Sequence, residues 1–184
     1  MFERLRRAPA HRRHAAALYA GAVRQARQPV FYEGMGVPDT VDGRFEMIAI
    51  HVFLLLHRLK RGDETCRATA QALFDTMFVD MDRGLRELGA GDLGVGRRVK
   101  AMAKAFYGRI AAYEQGLAGG SGALAGAVRR NVFRGDQQAA AGAERLAAYM
   151  RDQASMLERR PIGDLASGAV AFSAAGDSGA GDIR

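Results

Sequence analysis

Tryptophan is absent from these 184 residues, and the chain holds one cysteine, four prolines and four histidines. The lone thiol, Cys66, excludes an internal disulfide, fits a reducing compartment, and reads as a small packed core side chain. A single cysteine with scattered histidines also excludes the common zinc patterns. Long hydrophobic runs are missing too. The densest apolar stretch, MIAIHVFLLL at 47–56, contains a histidine and is followed at once by HRLKR. Ten helical residues rise about 15 Å, half of a hydrocarbon core, so this segment is too short to span a membrane. Acidic residues are in the minority: 27 Lys and Arg against 20 Asp and Glu give a net charge of +7. That balance favours an anionic partner such as RNA, a ribosome or a lipid surface, although a coding bias toward Ala, Arg and Gly produces it as well. The first thirty residues are Arg-rich and nearly free of acids, as transit peptides are, but they lack serines. Leu18, Ala22 and Ala26 recur there at helical spacing, and no secretory apolar core is present. This segment reads as a basic tail, residues 1–8, running into a first helix.

Apolar residues make up 48% of the chain and charged residues 26%, the balance of a globular protein of one domain. The periodicity is helical throughout, with no strand run, internal repeat or heptad array. Pro9 precedes a first helix that ends at Gln28–Pro29. A Gly- and Pro-containing loop follows, whose Phe31 and Tyr32 are expected to dock on the core. Thr40 is placed to cap a second helix running to Arg61, with Gly62 as its C-terminal stop. Phe45, Ile48, Ala49, Val52, Leu55, Leu56 and Leu59 lie on one face and Met47, Ile50 and Leu54 on another, which makes this the central helix of a bundle. A third helix is expected from Asp63, its cap, to Leu88. A fourth carries Val99, Met102, Ala103, Phe106, Ile110, Tyr113 and Leu117 as its buried stripe. A short helix around Leu124, Val128 and Val132 and a last one over 137–159, ended by Pro161, complete the set. The expectation is an all-α, single-domain irregular helical bundle of about six helices. It divides into the tail at 1–8, a helical domain at 9–165 and a flexible C-terminal tail at 166–184.

Chemistry is sparse. His51 has no carboxylate or second histidine at i±4, so no metal pair is visible on its helix. It reads either as a core-edge histidine bonded to a neighbouring helix or loop, or as a partner contact. Asp75 and Asp82 project from the third helix as a solvated face. Asp80 sits at the edge of the apolar arc and needs a hydrogen bond or a cation. GVGRRVK neither follows a strand nor has Walker spacing, and no serine sits in a nucleophile elbow. Nothing assembles into an active site, so a non-enzymatic binding module without cofactor or metal is expected. Arg97, Arg98, Lys100 and Lys104 crowd the first turns of the fourth helix with no acid among them, and each cation there opposes the helix dipole by a few tenths of a kcal/mol. They read either as a solvated turn or as an end that meets an anionic surface.

The stretches GMGVPDTVDGRFEMIAIHVFLLLHRL and ALFDTMFVDMDRGLRELGAGDLGVGRRVKAMAKAFYGRIAAYE resemble the ubiquinol–cytochrome c chaperone family. The distinctive pieces are PDT with the helix and HV that follow, the F-x-D-M-D helix, and VK-x-M-x-x-x-F-Y-G. The similarity covers roughly residues 15–165 and is to compact bacterial members, without the long N-terminal extension and membrane-anchoring segment of some mitochondrial ones. It implies an all-helical, non-enzymatic assembly chaperone that binds newly made cytochrome b and promotes assembly of ubiquinol–cytochrome c reductase. Such a protein would sit in the cytoplasm, peripheral at the inner face of the membrane, with the ribosome or anionic lipid as further contacts and no DNA. The family-like positions are Pro38, Asp39, His51, Phe78, Asp80, Asp82, Lys100, Phe106 and Tyr107. With the cations of the fourth helix singled out above and Arg44 of the second helix added, the candidates for client or partner contact are Asp39, Arg44, His51, Asp80, Asp82, Arg97, Arg98, Lys100, Lys104 and Tyr107. The alternative is a basic helical RNA- or ribosome-binding protein.

Overall fold

A computed structural model describes residues 9–87, 92–170 and 172–174. The expected basic tail at 1–8 and the expected helix end at Leu88 lie outside the described residues. Among those described there are seven α-helices and no strand: α1 Ala10–Ala26, α2 Val41–Leu59, α3 Glu64–Glu87, α4 Asp92–Ala118, α5 Ser121–Val132, α6 Ala140–Arg159 and α7 Ile162–Ala166. A π-helical turn, Val30–Gly34, stands where a loop was expected, and it buries Phe31 completely. Six helices correspond to the expected ones. The seventh is a single short turn that Pro161 starts, because a proline that ends one helix is also well suited to begin another.

α2 is the axis of the bundle. Met47, Ala49, Ile50, Val52, Phe53, Leu54 and Leu55 are sealed from solvent, and α2 packs against every other helix. Burying each large aliphatic or aromatic side chain contributes about 1.5–3 kcal/mol, so an apolar rod of this length has to sit at the centre. Thr40 caps α2 by accepting from the Gly43 amide at 3.1 Å. Asp63 caps α3 by accepting from the Cys66 amide at 3.0 Å. Gly62 acts differently from expectation. Its φ is not in the left-handed region, and what the site requires is the missing Cβ, which would fall 2.3 Å from the buried Cys66 sulfur.

α3 and α4 form an antiparallel hairpin held by an aromatic cluster. Phe74 and Phe78 lie 4.7 Å apart by ring centroids, and Phe106 meets Phe74 at 6.0 Å and Phe78 at 6.1 Å. Beyond α7 the chain turns at Gly168, φ +88°, and returns along α1 and α6. Ser173 donates its amide to Gln153 at 3.0 Å and accepts from Gln25 at 3.0 Å. The first residues of what reads as a C-terminal tail are therefore seated on the core through Ser173.

Candidate functional site

His51 lies midway along α2 and is wholly buried. Its Nδ1 is 2.7 Å from the Met47 carbonyl oxygen, which can only accept, so Nδ1 carries the proton. Nε2 is then the acceptor for the Tyr149 hydroxyl at 2.8 Å, and that hydroxyl accepts from Gln25 at 3.2 Å. Phe31 and Phe172 close over the ring edge-on at 5.4 Å and 5.0 Å. Burial pushes the imidazole down to about 4, against the opposing pull of the Met47 carbonyl. Burial likewise raises the Tyr149 phenol, against the opposing Gln25 donor. With both ring nitrogens occupied and no route to solvent, His51 is a tie between α2, α6 and α1.

The carboxylates separate into distinct ties. Asp80 accepts from the Tyr19 hydroxyl of α1 at 2.8 Å and pairs with Arg83, which gives it both the hydrogen bond and the cation its position demands. Asp82 pairs with Arg86 one turn on, at 2.7 Å, on the surface. Asp39 takes a two-pronged bond from Arg44, at 2.6 Å and 3.2 Å, and the guanidinium holds its carboxyl below the usual range. That pair edges a surface cleft of about 600 Å³ shared with Tyr32, Val37 and Ile48. Asp39, His51 and Asp80 belong to three separate networks. Among the described residues no three His, Cys, Asp or Glu side chains gather where they could hold a metal ion, and no helix is long and apolar enough to cross a membrane.

Arg97, Arg98, Lys100 and Lys104 are all exposed on α4 and make no ion pair among the described residues. Tyr107, 60% exposed, lays its ring against Phe74 at 5.3 Å. The opposite edge of α4 lines a groove of about 630 Å³, with Leu85, Met102 and Ala105 on one wall and Val41, Phe45 and Val132 on the other. Val41 stands 70% exposed at its rim. The groove also holds a pair the sequence reading passed over. Glu46, only 5% exposed on α2, takes two bonds from Arg109 of α4, one of them at 2.7 Å. Arg109 also lies over the Phe45 ring, 5.6 Å from its centroid. Burial raises the Glu46 carboxyl and Arg109 opposes that rise, while the carboxylate in turn keeps the guanidinium protonated. The available sequence signal was a lone acid at 46 among Ala49, Ile50 and Phe53, matched by a lone cation at 109 beside Phe106 and Ile110.

The family model described as "Ubiquinol-cytochrome C chaperone" matches residues 33–172, from the π-helical turn to the Phe172 that closes over His51. This chain belongs to the ubiquinol–cytochrome c chaperone family. Members of that family share the fold: a crystal structure of the Cbp3 homolog from Brucella abortus superposes with a TM-score of 0.83 at 38% identity, covering 95% of this chain and 98% of that one. "Ubiquinol-cytochrome c reductase complex assembly factor 1" of Drosophila melanogaster is 29% identical over 149 residues, 78% of this chain and 58% of that protein. "Protein CBP3, mitochondrial" of Saccharomyces cerevisiae is 30% identical over 148 residues, 77% of this chain and 44% of that one. The chain thus spans about half the length of these two relatives. Within the ubiquinol–cytochrome c chaperone frame, the Thr40 cap, the His51–Tyr149 tie and the α3–α4 hairpin all lie inside the matched segment.

Proposed function

We propose that this protein is a non-enzymatic assembly chaperone of ubiquinol–cytochrome c reductase, that its client is newly made cytochrome b, and that it works peripherally at the inner, cytoplasmic face of the membrane. The observation that carries the reading is the family match over residues 33–172. The α4 groove supports it physically. Client segments of a membrane protein are apolar helices, and a groove walled by Phe45, Leu85, Met102 and Val132 takes the ridge of such a helix. The Glu46–Arg109 pair offers the groove a polar contact for a client backbone or side chain. Binding by shape and apolar contact needs no turnover, which suits a chain whose His51 and Asp80 are committed to ties between helices. Deleting the gene and measuring assembled ubiquinol–cytochrome c reductase tests the reading. The assembled enzyme is expected to fall and to return on complementation, and an unchanged level would overturn the client assignment.

A further inference from the structure

α4 has a second face, turned away from the groove. At 100° per residue, Arg97, Lys100, Lys104 and Tyr107 fall within an arc of about 80° and extend over about 15 Å. All four are exposed, and so are Gly108 and Ala111, which lie in or beside that arc. From residue 93 to 113 the helix has no acid at all. The first one reached, Glu114, is occupied by His57 at 2.8 Å and by Lys60 at 2.5 Å. Two carboxylates of α3 are engaged as well, Asp75 with Gln71 at 2.8 Å and Asp82 with Arg86. The result is a straight row of cations, uncompensated among the described residues, that ends in an amphipathic ring, with Gly108 and Ala111 just past the ring small enough to let the helix approach a flat surface closely.

We propose that this stripe docks the protein on an anionic lipid bilayer, with Arg97, Lys100 and Lys104 on headgroup phosphates and Tyr107 at the interface. Charge complementarity selects the partner's sign, and the ring selects a bilayer over RNA. Single-stranded RNA is held by several open aromatic faces on which bases stack. Here the one exposed ring of the stripe is already laid against Phe74. A single largely exposed tyrosine beside a row of cations, one ring edge resting on its own protein, is instead the side chain found at headgroup level. The proposal deepens the membrane-side placement above and rests on it, but its test contains no client, so failure here leaves the client assignment standing.

The full chain is to be co-sedimented with phosphatidylcholine vesicles, with and without phosphatidylglycerol, at low and high salt. Binding is expected only to the anionic vesicles and is expected to weaken with salt. A cation near an anionic surface is worth about a fivefold change, so Arg97→Gln/Lys100→Gln/Lys104→Gln lowers the partition coefficient by roughly a hundredfold. Tyr107→Ser lowers it further. These side chains are exposed, so helical circular dichroism remains that of the parent. A control of equal charge change elsewhere, Arg12→Gln/Arg24→Gln/Arg159→Gln, keeps most of the binding. Three results would overturn the proposal: the stripe variant binding like the parent, the control losing as much, or stripe-dependent capture of a single-stranded RNA with no vesicle binding.

Discussion

Acidification should reveal His51 as a buried neutral side chain. Its imidazole ordinarily titrates near 6.5, and in the folded protein burial lowers it to about 4. Between those values the unfolded chain carries a proton at this position that the native state refuses, so stability rises with pH across the window. The contribution is complete above the unfolded value and disappears progressively as pH falls toward 4. At about 1.4 kcal/mol per pH unit, the gap amounts to roughly 3 kcal/mol, a large part of what a single domain has to lose. Urea unfolding of the parent and of His51→Leu, at a series of pH values from neutral down to about 4.5, isolates this residue from the other titrating groups. At neutral pH the variant is expected to be about 1–3 kcal/mol less stable, because the Tyr149 hydroxyl loses its acceptor while the new side chain fills the apolar space. On acidification the two curves should converge, since the variant has no imidazole to charge. Parallel curves would refute the assignment of a neutral, doubly bonded His51.

Two further substitutions test the packing and the groove pair. A Cβ at Gly142 on α6 would fall 2.2 Å from the Met35 carbonyl oxygen, whereas one at Gly108 on α4 meets nothing within 4 Å. Thermal melts are therefore expected to show Gly142→Ala losing about 2–3 kcal/mol and Gly108→Ala gaining about 0.5–1 kcal/mol. Glu46→Leu alone strands the Arg109 guanidinium and is expected to cost about 3–5 kcal/mol in urea unfolding, while Glu46→Leu with Arg109→Leu recovers most of that loss.

What was legible in the sequence was local. α2 announced itself through an apolar run behind a Thr40 cap, α3 through Asp63, and the cations of α4 through simple adjacency. Asp80 declared its need for a partner because a carboxylate at the edge of an apolar arc cannot be left alone. The identity of its partners, Tyr19 and Arg83, was half hidden: Arg83 is one turn away, but Tyr19 lies 61 residues back. The same applies to His51, whose Tyr149 is 98 residues distant, and to Glu46 with Arg109, 63 residues apart. Periodicity identifies which side chains face inward but not which of them meet, and the groove exists only where α4 passes the start of α2 and the end of α5. The C-terminal segment said little through its composition. Its Ala, Gly and Ser residues carry no helical pattern, yet Phe172 closes on His51 and Ser173 bonds to two helices.

The central claim, that a client lies in the α4 groove, is tested most directly by placing a photo-crosslinking residue at Ala105 on the groove wall and irradiating cells during pulse labelling. The predicted product is an adduct with newly made cytochrome b that is absent when the same probe stands at Arg159, at the far end of α6. No cytochrome b adduct from Ala105, with the protein present at its normal level, would contradict the account.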